Sequence, residues 1–308
     1  MHARLHGATA KQSGSGAGVD RFCPTQDPYG AVANEDLPRA RCASVHAGGG
    51  SALTSSSDCY WDIMEHDAPE SWPGSVPWTD AWGNVGTLPD SAGFGAHVDR
   101  TRVPPDALPD FWVTILKRYA RLPSFTVGPR DTPGLARWLA DHGYTHETRE
   151  AVLILPRTEW DRTASGSPLD VVRRVEDVDA LGQVIALDHL VFGDPLLDDE
   201  ALRRELTRLG SRRRIYLVPG HDMALATGGF TAWSQWALLW AAETHPDHRR
   251  KGYYRAIVAA RLLALSRLPG VRFAAVFAND ETSAPILRRA GFVAIGHRDE
   301  WRPPLPPP

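Results

Sequence analysis

The chain has 308 residues, 43% of them hydrophobic and 23% charged, which is globular composition at a length that allows two domains. A net charge of -3 gives no electrostatic basis for binding nucleic acid or an anionic membrane, and no stretch of about 18 uncharged apolar residues is present to span a bilayer. The three cysteines, Cys23, Cys42 and Cys59, are odd in number and match no zinc spacing, which argues against a disulfide framework or a metal site and for a cytoplasmic protein with incidental thiols.

In chain order, residues 1–63 carry Gly/Ser low complexity (Ser13-Gly14-Ser15-Gly16, Gly48-Gly49-Gly50-Ser51, Ser55-Ser56-Ser57) with neither helical nor strand period. They are expected to be disordered and to bury nothing, with Met64 a candidate start. Residues 64–160 form a first domain: a Trp/Gly/Pro-rich stretch, then a helix over 109–119. Residues 165–302 form a second, with a strand at 171–175, helices over 178–192 and 199–209, and strands at 214–218, 223–231 and 235–244. The first two of those last strands are joined by the hairpin signal Pro219-Gly220-His221-Asp222. A helix over 253–267, a strand at 271–278, a short helix and a last pair of strands near Val293 and Glu300 follow. The tail Pro303–Pro308 reads as extended polyproline. The two domains share a pattern: Phe125, Asp131, Leu139, Gly143 and Tyr144 recur at constant offset as Phe273, Asn279, Leu287, Gly291 and Phe292. Each copy reads strand, polar turn, short helix, Gly-aromatic, strand.

The segment His245-Pro246-Asp247-His248-Arg249-Arg250-Lys251-Gly252-Tyr253-Tyr254 carries the chemistry. A glycine-punctuated turn that leaves a strand and opens a helix presents free backbone N–H groups at the positive end of the helix dipole, which makes an anion site. The spacing fits neither a P-loop nor a dinucleotide fingerprint. The first copy has no equivalent of this turn.

With Pro246, Arg249 and Gly252 in place, and a strand, Asn279, a short helix and Gly291-Phe292 downstream, the chain resembles the GNAT superfamily of acyl-CoA-dependent N-acyltransferases. In particular it resembles tandem members with a shortened, degenerate N-terminal half. The resemblance implies an α+β fold, a mixed but mostly antiparallel sheet flanked by helices, with a second, smaller GNAT-like half. It implies acetyl-CoA as co-substrate and no metal. The pyrophosphate would rest on backbone N–H groups of Arg250, Lys251, Gly252, Tyr253, Tyr254 and Arg255, with Arg249 adding charge. Ala242, Glu243 and Thr244 would run beside the pantetheine arm, and Asn279 would contact it.

The sequence departs from the family at Tyr254, where Gly or Ala is preferred, and at Leu287, where a Tyr commonly protonates the departing thiolate. Glu243 and His245 end the strand that borders the cleft and are the candidates for the base that must deprotonate the acceptor amine. Trp236 and Trp240 share one strand face and read as core. No Cys or activated Ser accompanies the loop, so attack is expected to be direct, in a ternary complex. The acceptor would be a small-molecule or peptide amine; the alternatives are a non-catalytic acyl-CoA sensor or scaffold, and a member that uses another acyl group.

Overall fold

The structure, a computed structural model, describes residues 52–66, 76–88 and 96–304. In order, the elements are α1 (Ala52–His66), β1 (Val76–Thr79), β2 (Val85–Leu88), β3 (His97–Arg100), α2 (Leu108–Arg118), β4 (Ser124–Val127), α3 (Leu135–Asp141), β5 (Thr145–Pro156) and α4 (Trp160–Ala164). There follow β6 (Arg173–Arg174), α5 (Val178–Phe192), α6 (Asp199–Thr207), β7 (Arg213–Val218), β8 (Ala226–Ala232), β9 (Trp236–Thr244), α7 (Tyr253–Leu265), β10 (Phe273–Asn279), α8 (Ser283–Arg289) and β11 (Val293–Arg302). Local chemistry sets the second-half boundaries: Asp177 and Asp198 cap α5 and α6 by accepting from the N–H groups of Ala180 and Ala201, and Gly193 ends α5 at φ 78°.

The strands form one sheet in the order β1-β2-β3-β4-β11-β5-β10-β9-β8-β7-β6. Only β3·β4 and β9·β10 are parallel; the remaining neighbours are antiparallel. The fold is therefore α+β with a mixed, mostly antiparallel sheet flanked by helices. Strand alternation gives each face its own core. Leu153 and Leu155 of β5, with Ala274 and Val276 of β10, pack under α7 and α8. Val152, Ile154 and Phe273 face Ile63 and Met64 of α1. On that second face α5 lays Leu187 against Ile215, Leu217 and Trp240.

The repeat read from the sequence is present in detail. The N–H of Tyr144 donates to the Leu139 carbonyl at 3.1 Å, as does that of Phe292 to Leu287; Gly143 and Gly291 bond back to Ala140 and Arg288 at 3.0 Å. Both glycines have positive φ (83° and 101°), so each short helix stops in the same left-handed turn. The final strands are exchanged: β11 pairs with β4, while β5 pairs with β10 along the full length of β10. β5 and β11 then pair with each other.

Four expectations are corrected. Helix α1 runs across the expected 63/64 boundary and buries Ile63 and Met64, so the segment before residue 64 is not wholly without structure. Its apolar face was hidden by the Ser55–Ser57 run. Cys59 is disulfide-bonded and so is not an incidental thiol. The first half is preceded by the strands β1 to β3 and a parallel β3–α2–β4 crossover, elements too short to show a period within the Trp/Gly/Pro-rich text. The last pair of strands is a single strand, β11, with register irregularities near Ile295 and Trp301. Residues 1–51 and 305–308 lie outside the described residues, with the expectations made for them. No helix among the described residues is long and apolar enough to cross a membrane.

Candidate active site

Strands β9 and β10 are hydrogen-bonded only where Trp236–Leu238 meets Phe273–Ala275. Beyond that point β9 stays with β8 and β10 stays with β5 as far as Asn279 opposite Glu150, so the two parallel strands part and leave a slot lined by their facing backbone. On β9 the pairing with β8 slips by one residue: Trp240 opposes Gly229 and Glu243 opposes Thr227, which leaves Ala241 and Ala242 opposite Gly228 alone. This is a β-bulge, a device that redirects backbone groups. Ala241 takes φ 44° there.

The chain leaves β9 at Thr244 and turns through Pro246–His248 into α7. Arg250 has φ 65° and Gly252 φ 83°. Among the described residues Ala241 and Arg250 are the two non-glycine residues with positive φ, and both lie at this end of the slot. Strained backbone of this kind costs about 1–3 kcal/mol per residue and collects at binding sites. No backbone carbonyl among the described residues takes the N–H of Arg250, Lys251 or Gly252. Those of Tyr253, Tyr254 and Arg255 belong to the first turn of α7, which has no preceding carbonyl to use. A β-carbon on Gly252 would meet no atom within 4 Å, so the space in front of the turn is open. Arg249, Arg250, Lys251 and Arg255 are exposed around it. Free N–H groups, open space, a helix N-terminus and cations fit a phosphate-bearing group, and the slot beside them fits an extended arm that completes backbone hydrogen bonds.

Glu243, 5% exposed, lies on the face covered by α5, within hydrogen-bonding reach of Asp188. Neither Glu243 oxygen has a donor from the rest of the protein. Two carboxylates cannot bond unless one carries the proton. Burial, and then the neighbouring Asp188, push the Glu243 pKa far above the carboxylate range; burial also raises Asp188. Burial and the second carboxylate thus both favour keeping a proton on the Glu243 side of the pair. Across the sheet Arg261 of α7 is 1% exposed and donates from Nη1 to the carbonyls of Gly229 (3.0 Å) and Trp240 (3.3 Å), the residues paired just before the bulge. Gly228 makes room for it, because a β-carbon there would sit 3.1 Å from the guanidinium. Burial lowers the Arg261 pKa to about 10, so the side chain stays charged at neutral pH, and its charge acts on Glu243.

The other expected site residues are placed as follows. His245 accepts the Asp247 N–H at Nδ1 (3.2 Å) and caps the turn, so that lone pair is committed. Asn279 stands at the end of β10, where its side-chain oxygen accepts the N–H groups of Glu281 and Thr282 and closes a turn. Leu287 is fully buried in the core of α8. Trp236 and Trp240 share a face as expected, and both also line a cavity of about 370 Å³ whose lining includes Ala241. Asp188, Arg261 and Arg100 were not singled out from sequence. A lone Arg in the apolar run Ala256–Leu265 opposite Gly228-Gly229 is the signal that could have found Arg261.

The first half holds the corresponding crossover but not the corresponding site. Between β3 and α2 stand Pro104 and Pro105, which have no N–H. The N–H groups of Thr101 and Arg102 are taken by Asp131 and Asn84. His97 bridges β3 to β4, bonding Ser124 at 2.6 Å and Thr126 at 2.7 Å, where β9 and β10 part.

No protein-family model matches the chain, and no curated protein matches it significantly. Solved structures do. A GCN5-related N-acetyltransferase from Kribbella flavida is 20% identical, covers 82% of this chain and 96% of its own, and superposes with a TM-score of 0.57. A conserved protein of unknown function from Staphylococcus epidermidis is 11% identical over 75% of this chain and 94% of its own, with a TM-score of 0.52. At these identities the likeness is one of fold, and the chain has the GNAT fold along most of its described length.

Proposed function

We propose that the protein is an acyl-CoA-dependent N-acyltransferase that moves acetyl from acetyl-CoA to an amine by direct attack within a ternary complex. The observation that carries this is the coincidence, at one end of the parted strands, of the bulge at Ala241 and the donor-rich turn Arg250–Gly252. In this reading Arg249 to Arg255 hold the pyrophosphate, and Ala242 to Thr244 run along the pantetheine arm. A backbone N–H at the bulge stabilises the charge that develops on the thioester oxygen. As the amine nitrogen forms its bond to the carbonyl carbon and the C–S bond breaks, the amine proton goes to Glu243 while the proton already on Glu243 passes to the Asp188 carboxylate, so the pair as a unit is the base. Leu287 offers no acid to the sulfur; a thiol of pKa near 8.5 leaves acceptably as thiolate. The half formed by residues 165–302 does the chemistry, and residues 64–160 form its degenerate counterpart.

Thermal melts with millimolar CoA test binding, since a ligand at a hundred times its Kd adds about 2.7 kcal/mol to the folded state. Release of free thiol from acetyl-CoA with a panel of amines tests turnover. An unchanged melting temperature overturns the proposal. Stabilisation without turnover on any amine would support the sensor reading, which the buried Leu287 favours.

A further inference from the structure

On the face of the sheet that carries Glu243, a cavity of about 370 Å³ runs between α1, the β2–β4 end of the sheet and β9, and reaches Ala241. Its size is that of a small-molecule site. Five aromatic residues, Trp61, Trp233, Trp236, Trp240 and Phe277, line it. Most of its charges are already matched: Arg102 with Glu65 (2.5 Å) and Asp131 (3.2 Å), Arg130 with Asp62 (2.7 Å), Arg298 with Glu150 (2.7 Å), and Asp99 with His97 (3.3 Å). Arg100 is different. Arg100 lines the cavity half-buried and its Nη2 donates to the Glu65 carbonyl at 3.2 Å; the carboxylates of Glu65, Asp131 and Asp99 act on it from further off, but among the described residues none forms an ion pair with it. A partly desolvated guanidinium with spare donors is a fork for an oxyanion.

We infer that this cavity takes an amine acceptor with a flat apolar body and an oxyanion group, the amine at Ala241, the body between the tryptophans and the oxyanion on Arg100. This rests on the acyl-transfer reading, since only that reading gives the Ala241 end its chemistry. A carboxylate and a phosphate both suit the fork, and the arms of the test tell them apart. Arg100 comes from β3 and Trp61 from α1, whereas Trp236 and Trp240 stand on β9 and Phe277 on β10, so the two halves of the sheet build the cavity together.

The full-length protein is assayed with acetyl-CoA and three acceptors of one body: phenethylamine, 4-(2-aminoethyl)benzoate and tyramine O-phosphate. The expected result is a kcat/KM at least tenfold higher for one of the two acids than for phenethylamine; the larger of the two identifies the oxyanion. In Arg100→Met that ratio should fall to within about twofold, and in Arg100→Lys it should be partly kept. Tryptophan fluorescence titrated with the same three compounds at saturating CoA reads binding directly, whether or not turnover is seen and whether or not the Arg100 variants fold. Equal kcat/KM and equal binding for all three in the wild type overturn the inference. CoA stabilisation is read in the same samples: its absence counts against the acyl-transfer reading, whereas CoA binding without any oxyanion preference counts against this inference alone.

Discussion

Gly252 carries two demands that one substitution cannot separate and two can. With φ 83° and no atom within 4 Å of an added β-carbon, Gly252→Ala should cost only left-handed strain, about 1–2 kcal/mol of stability. Gly252→Asp adds a carboxylate where the pyrophosphate is placed. Calorimetric titration of the folded Asp variant should show CoA affinity down by about a hundredfold or more, roughly 2.7 kcal/mol; unchanged affinity would mean that the turn is an ordinary helix start. Glu243→Gln tests the acid pair. Gln mimics the protonated acid, so the fold should persist while kcat falls by about two to four decades. The linkage sign follows from the raised pKa: the folded state keeps a proton that the unfolded state loses above about pH 4.5, so this group makes stability fall as pH rises from there. Chemical denaturation between pH 5 and 9 should therefore show a flatter pH dependence in Glu243→Gln than in wild type. Asp188→Asn, which removes the neighbouring negative charge, should move the rising limb of the pH–rate profile to lower pH. Of these residues Gly252 and Glu243 were legible because turn chemistry and strand ends are local in sequence. Asp188 was not, because it meets Glu243 only when α5 lies over β9.

At the scale of elements the two ends of the site are held by α7 and α1. Helix α7 is buried nearly all round, and its one buried charge, Arg261, satisfies carbonyls beside the bulge instead of pairing at the surface. Arg261→Met strands those carbonyls and removes the cation near Glu243, so denaturant titration should show a loss of about 3 kcal/mol. A loss under 1 kcal/mol would mean that the bulge stands without it. Helix α1 was invisible in a serine-rich run, yet it buries Ile63 and Met64 and supplies Trp61 and Glu65 to the cavity. Its acids Asp58, Asp62 and Glu65 bind Arg130, and Glu65 also binds Arg102. Removing residues 1–66 should destabilise the protein by about 3–5 kcal/mol from the lost apolar burial alone. The early start at Met64 expected from composition would keep Met64 but lose Trp61. Melting curves of the two truncations, set beside full length, decide whether α1 is part of the folded unit.

At the scale of the molecule, the repeat was legible because its anchors, Phe125 to Tyr144 and Phe273 to Phe292, are large buried residues and left-handed glycines at fixed offsets. The exchange of last strands was not legible, because strand partners are chosen across the whole chain and leave no mark on either strand. β5 follows the first copy yet completes the second by lying along β10, and β11 returns to complete the first beside β4. Each half thus lends the other a central strand, and neither half alone closes its core: without β5, Leu153 and Leu155 vanish from beneath α7 and α8, and β10 gains a bare edge. The boundary near 160–165 is therefore not a boundary of folding. Residues 165–302 expressed alone should be insoluble or lack cooperative unfolding. Co-expression with residues 52–160 should recover a soluble complex that binds CoA, because strand exchange needs both chains but not their covalent join. If residues 165–302 alone melted cooperatively and were stabilised by CoA to the same extent as full length, the second half would be self-sufficient and the exchange merely permitted by the fold.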